Sequence, residues 1–222
     1  MIRQLAWVLL LATASQCSVA TPSLSEQLRK AESGNASAQY ELGTMYEQGK
    51  GAPKDIVEAV HWYAAAAEQD MDIAQVKLGM IFAEGKLVPQ AFEQATIWFT
   101  RAATRGNADA QHQLGVLYCS GDGVAKDCEQ GLDWFTKAAV QGKVEAQYAL
   151  GVLYGTGMYR SGKSAPPDYK KAYIWFYLAA RGGNTNAISN RDIALLKLTP
   201  EELEQAQDEM EKITKSIKNY KK

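Results

Sequence analysis

The chain has 222 residues, 46% hydrophobic and 22% charged, a balance that supports a packed core and excludes a disordered chain. Its formal net charge is −1, so no strong basic field marks it as a nucleic-acid binder. The length suits one ordinary domain or one short repeat array.

Residues 1–20 read as a signal peptide. Arg3 supplies the positive start, Leu5 to Ala14 form a short apolar run, and Ser18-Val19-Ala20 carries small residues where a signal peptidase reads. The run is about half of what a bilayer-spanning helix needs, so cleavage after Ala20 is expected. Lipid attachment at Cys17 is the alternative, although Gln16 stands where lipoprotein signals carry a small side chain. No later stretch is apolar enough to cross a membrane. The mature protein is expected to be soluble, in a periplasm or the extracellular space. Residues 21–33 are expected to hold an N-terminal capping helix, from Leu24 to Glu32.

From residue 34 the chain repeats itself. Ala38-Gln39, Ala74-Gln75, Ala110-Gln111 and Ala146-Gln147 each precede a Leu-Gly pair, and the glycines Gly43, Gly79, Gly115 and Gly151 are 36 residues apart. Trp62-Tyr63, Trp98-Phe99, Trp134-Phe135 and Trp175-Phe176 keep the same step, apart from five residues inserted between Gly157 and Pro167. Each unit reads as two helices. The first buries Ala38, Leu42 and Tyr46, and a glycine inside it implies close approach of the partner helix. The second starts at Asp55, Asp127 or Asp168, with capping boxes in Asp55/Glu58 and Asp127/Gln130. It is expected to bury Ala59, Trp62 and Ala66 and to end at Gly106, Gly142 or Gly183. Unit two departs, with Asp70 for the glycine and Ala91 for the cap, so its ends are expected to fray. Neither helix can bury its apolar stripe alone, so the units must stack.

Residues 186–222 close the chain. Thr199-Pro200-Glu201-Glu202 is a helix start, and Leu203, Ala206, Met210 and Ile213 form one stripe, predicting a single capping helix with a solvated tail of Lys212, Lys215, Lys218, Lys221 and Lys222.

The pattern Ala-x-Ala-Gln-x-x-Leu-Gly, Tyr-x-x-Gly-x-Gly, then Asp, Trp and Ala-Ala resembles the Sel-one-like repeat family, relatives of the tetratricopeptide repeats, over residues 34–185 in four units. The resemblance implies an all-α, right-handed α/α superhelical solenoid that acts as a monomeric adaptor for a protein or peptide of the cell envelope, with no catalytic residues and no cofactor. It also assigns the concave side to the first helices, whose exposed columns carry Tyr40, Glu47, Val76, His112, Gln113 and Tyr148 as candidate partner-binding residues.

A zinc site of His112, Cys119 and Cys128 is disfavoured, because His112 and Cys119 are seven residues apart on one helix, about 10.5 Å along its axis. Cys119 and Cys128 instead suit a disulfide across the Gly121-Asp122-Gly123 turn. Two independent packed thiols remain the other reading, since Ile56, Phe92 and Tyr169 match Cys128. The paired acids Asp109 and Glu145 raise a carboxylate hydrolase, but they fit helix N-termini better. A structural accessory of an envelope machine is the alternative to a freely diffusing adaptor.

Overall fold

The computed structural model describes residues 23–159 and 165–220. The expected leader with Arg3, Cys17 and Ala20, the middle of the inserted loop, Lys221, Lys222 and the side chain of Lys218 lie outside the described residues.

The architecture is a run of short antiparallel helices, as the repeated turn glycines dictate. After α1 (Leu24–Glu32), four pairs follow: α2 (Ala36–Gln48) with α3 (Ile56–Glu68), α4 (Asp72–Glu84) with α5 (Phe92–Thr104), α6 (Ala108–Ser120) with α7 (Cys128–Val140), and α8 (Val144–Thr156) with α9 (Tyr169–Arg181). Then come α10 (Asn186–Leu195) and α11 (Pro200–Tyr220). There is no strand among the described residues. Each helix up to α10 packs on the one before it, and α11 lies on α9, so the chain is an all-α solenoid with one continuous interior.

The glycine inside each first helix has a specific occupant. A Cβ on Gly43, Gly79, Gly115 or Gly151 would stand 2.7, 2.5, 2.6 or 2.5 Å from the ring of Tyr63, Phe99, Phe135 or Phe176. These rings are 0–5% exposed, whereas Trp62 and Trp134 are only half-buried. The expected burial of Trp62 is thus corrected. The second aromatic of each pair, at i+4 from Ala59 in unit one, enters the slot the glycine leaves open. The Trp lies over the edge in units one and three, whereas Trp98 and Trp175 are buried beside the ring at 9% and 8% exposed.

The Ala-Gln pair is explained by a second contact. Gln39, Gln75, Gln111 and Gln147 are buried, and their Nε2 atoms donate to the carbonyls of Ala31, Ala67, Ala103 and Ala139 at 3.0, 3.0, 3.1 and 3.1 Å. Each of these carbonyls lies near the end of the preceding unit's helix, so a buried amide ties neighbouring units together. Gln69 and Gln141 then donate to the Oε1 of Gln39 and Gln111 at 2.6 and 2.7 Å. In unit two the matching residue is Arg105, which turns outward to Asp70 and Asp72, and the Gln75 Oε1 is buried without a partner. An orphaned buried acceptor costs roughly 1–3 kcal/mol, more than a half-exposed ion pair contributes. Arg105→Gln is therefore expected to stabilise the chain by about 1 kcal/mol, read as a higher urea midpoint. A lower midpoint would contradict this bonding scheme.

The capping boxes close on one side only. Asp55 accepts from the amides of Val57 and Glu58, and Asp127 from those of Glu129 and Gln130. The return bond is missing because the Asp55 and Asp127 amides donate to Tyr46 and Tyr118 carbonyls at 3.0 and 2.8 Å, and Glu58 accepts from the Trp62 indole instead. Those backbone bonds clamp the two helices of a pair, and Ala91 makes the same one to Phe82. Asp70 adopts φ 60°, in the left-handed region where the other units use glycine. Consequently α3, α4 and α5 keep the same 13-residue length as their counterparts rather than fraying. The reciprocal box is in α11, where Thr199 and Glu202 each accept from the other's amide.

The C-terminal end holds two helices, where one was expected. α10 begins as a fifth first helix: Asn184 accepts from the Ala187 amide at 3.1 Å, as Asn35 does from Ala38 and Asn107 from Ala110. Arg191 and Asp192 replace the Leu-Gly pair, so there is no slot for an aromatic ring. α11 instead lays Ala206 and Met210 onto the core and covers the end of the stack.

Candidate functional site

The column of residues two after each repeat alanine packs over the buried rings. Tyr40 stands 5.3 Å from the Tyr63 ring, His112 5.6 Å from Phe135, and Tyr148 5.7 Å from Phe176. Val76, expected to be exposed in this column, is 9% exposed and packs among Ala95, Phe99 and Leu114, because a short branched side chain settles into the space that the larger rings overhang.

The structure divides the six expected residues. His112 and Tyr148 come together in a groove of about 640 Å³ between α6 and α8, floored by Phe135 and walled by Val116, Cys119 and Val152. Tyr40 lies at the other end of the stack, in a depression of about 460 Å³ with Thr44 and Met45. Glu47 is engaged internally. Its carboxylate accepts from the Tyr63 hydroxyl at 2.7 Å and pairs with Lys77 at 2.8 Å. Burial pushes the Glu47 carboxyl up, but the bonds from Lys77 and Tyr63 outweigh it and hold the group below its ordinary value. Burial, with Glu47 adding to it, raises the Tyr63 hydroxyl. Gln113 is half-buried on α6 beside the groove.

Four groove-side residues escaped the sequence reading. Met80, Val116, Val152 and Ile193 occupy one register position on α4, α6, α8 and α10, and Met80, Val116 and Ile193 are 38%, 41% and 57% exposed. Val152 also lines a smaller cavity of about 180 Å³ with Asn190 and Ile193, so the apolar surface runs on from α6 to α10. At its rim the Asn190 amide donates to the Tyr148 hydroxyl at 3.3 Å. The first three residues could have been found from the repeat step. The fourth was hidden because α10 lacks the Leu-Gly signature.

Lys143, at the N-terminus of α8, stands 2.6 Å from Asp109 and 3.2 Å from Glu145, which lines the groove. The Glu145 carboxyl is held below its ordinary value by its own backbone amide and by Lys143. A general acid needs the opposite shift, so Glu145 is poorly suited to that role. Burial, then the Lys143 charge, lowers the His112 imidazole from its ordinary 6.5. The folded state therefore favours the neutral ring, and that advantage is lost as pH falls below 6.5. His112→Phe is expected to flatten part of the acid-side decline in urea midpoint. An unchanged decline would show that the ring does not titrate under this burial.

Cys119 and Cys128 are joined, with their sulfurs 2.09 Å apart, linking the end of α6 to the start of α7. Among the described residues no group of three His, Cys, Asp or Glu side chains could hold a metal ion. No helix among them is long and apolar enough to cross a membrane.

The comparisons agree with this architecture. The Sel1 repeat model matches residues 36–71, 72–107, 108–143 and 144–184, more than half of the chain. No curated protein sequence matches. Among solved structures, c5321, a protective antigen present in uropathogenic Escherichia coli strains and displaying an SLR fold, is 39% identical with a TM-score of 0.68. The match covers 75% of this chain and 35% of that one. A Sel1 repeat protein from Oxalobacter formigenes is 35% identical with a TM-score of 0.67, over 75% of this chain and 66% of the other. This chain thus spans about a third of the first relative and just under two-thirds of the second. With four matched units, four glycine slots and four buried glutamines in register, the chain belongs to the Sel1 repeat family.

Proposed function

We propose that this chain is a non-catalytic interaction scaffold of the periplasm or extracellular space, which holds a protein or peptide partner on the side formed by its first helices. The observation that carries this reading is the open groove between α6 and α8, lined by the half-buried His112, Tyr148 and Val152 and the exposed Val116, whose apolar lining continues to Ile193. Exposed contiguous apolar surface marks interaction sites, and aromatic side chains in such pockets supply a large share of binding energy. The groove rests on rigid helix pairs rather than loops, so little order has to be gained on binding. The leader-like first twenty residues and the membership of a family used for protein–protein contacts support the location and the partner class. The resemblance to c5321, described as a protective antigen, is consistent with display outside the cytoplasm.

The test isolates the partner by cross-linking in the native envelope and then measures its affinity for variants. Val152→Asp places a charge in the groove and is expected to weaken binding at least tenfold. Val57→Asp, on the exposed side of α3, is the control and should leave affinity unchanged. Equal affinity for both variants would place the partner elsewhere.

A further inference from the structure

Unit three differs from the others at three positions that meet in space. Cys119 stands where units one, two and four have Glu47, Ala83 and Gly155, and Cys128 where they have Ile56, Phe92 and Tyr169. The third is Gly131, at the position of the fully buried Ala59, Ala95 and Ala172. A Cβ on Gly131 would stand 2.7 Å from the Cys119 sulfur and 2.9 Å from the Gly115 carbonyl oxygen. Alanine fits opposite the equivalent glycine in the other three units; in unit three both the sulfur and the carbonyl, drawn to 2.9 Å beside the disulfide, stand in its way. Glycine inside a helix costs roughly 1 kcal/mol against alanine, and only unit three, which holds the disulfide, has glycine rather than alanine at this position of its second helix. The same Cys119 is a wall of the groove that holds His112, Val116, Tyr148 and Val152.

We infer that the Cys119–Cys128 disulfide, seated against Gly131, is a redox-sensitive device that sets the shape of the groove between α6 and α8. This inference rests on reading that groove as the binding surface. The reductant is a dithiol: the Cys119–Cys128 S–S bond breaks, two S–H bonds form, and the dithiol closes into its own disulfide, transferring two electrons and two protons. The freed sulfurs move from bonding distance to van der Waals distance. Cys128 is 8% exposed among packed side chains, whereas Cys119 is half-buried at the groove, so Cys119 is the side chain that gives way. Its displacement carries it toward Val116 and Val152 and alters what the groove accepts.

The test needs no partner. Methyl NMR of Val116 and Val152 is recorded before and after dithiothreitol, with the exposed Val57 methyls as the reference and mass spectrometry reporting the gain of about two daltons for one reduced disulfide. The groove methyls are expected to shift on reduction while Val57 does not. A C119A/C128I variant, which carries the residue types of units two and one, is expected to be insensitive to dithiothreitol. Gly131→Ala is expected to lower the thermal midpoint of the oxidised chain and raise that of C119A/C128I, where no sulfur opposes the new Cβ. Reduction without movement of the groove methyls would overturn the inference. So would a dithiothreitol response in C119A/C128I, a Gly131→Ala effect of the same sign in both backgrounds, or no mass gain at all. These outcomes are read without any ligand, so they fail independently of the Val152→Asp affinity test.

Discussion

Phe99→Ala is expected to lower folding stability by about 3–5 kcal/mol, because a fully buried ring is removed and the helices around it cannot collapse into the space. Phe99 is 1% exposed, in the slot opened by Gly79. Trp134→Ala is expected to cost less, since Trp134 is half-buried and Lys137 covers its ring at 4.0 Å. The slot makes a second, sharper statement. Gly79→Ala gains helix propensity of roughly 1 kcal/mol, but its methyl meets the Phe99 ring, and overpacking of this kind costs about 1–3 kcal/mol. Net destabilisation is expected, and Phe99→Leu in the same chain should relieve part of it. Urea midpoints of the two single variants and the double variant decide the point. Strict additivity would mean that glycine and ring are not coupled.

Ala206→Asp carries the next largest effect. Ala206 is fully buried in α11, between Leu203 and Met210 on the stripe that covers the end of the stack. A carboxylate there has no cation within the core, and burying it unpaired costs more than the few kcal/mol that docking one short apolar stripe contributes. α11 is therefore expected to detach instead of accommodating the charge. Because each unit of a solenoid contacts only its neighbours, α2 to α7 should keep their hydrogen-exchange protection while α9 to α11 lose much of theirs. Unfolding of the whole chain in one step would show tighter coupling than a linear stack allows.

The four repeats were legible because turn glycines and aromatic pairs recur at fixed spacing. Which aromatic fills the glycine slot was not. Trp62 at i+3 and Tyr63 at i+4 from Ala59 both fit one helical face, and the choice is made by the glycine on the facing helix. The role of Gln39, Gln75, Gln111 and Gln147 was equally hidden, since a buried amide is recognised only when the carbonyl it meets is known. The half-closed capping boxes failed for a related reason: Tyr46 and Tyr118 carbonyls take the Asp amides from across the hairpin. At the candidate site the repeat step alone places Tyr40, His112 and Tyr148 in one register column. It did not show that Glu47 is tied to Tyr63 and Lys77, or that Val76 sinks into the core. The apolar row of Met80, Val116 and Val152 was visible at the repeat step. Ile193 became part of it only once α10 was seen to be a truncated fifth unit.

The direct test of the scaffold reading places a photoreactive benzoylphenylalanine at Val116 or Val152 on one side of the solenoid, and at Val57 or Ile97 on the other. Val57 and Ile97 are 78% and 49% exposed, so each has access to solvent. After irradiation in the native envelope, the account predicts one discrete partner adduct from Val116 and Val152 and none from Val57 and Ile97. The same adduct arising from Val57 or Ile97 and missing from the groove positions would contradict it.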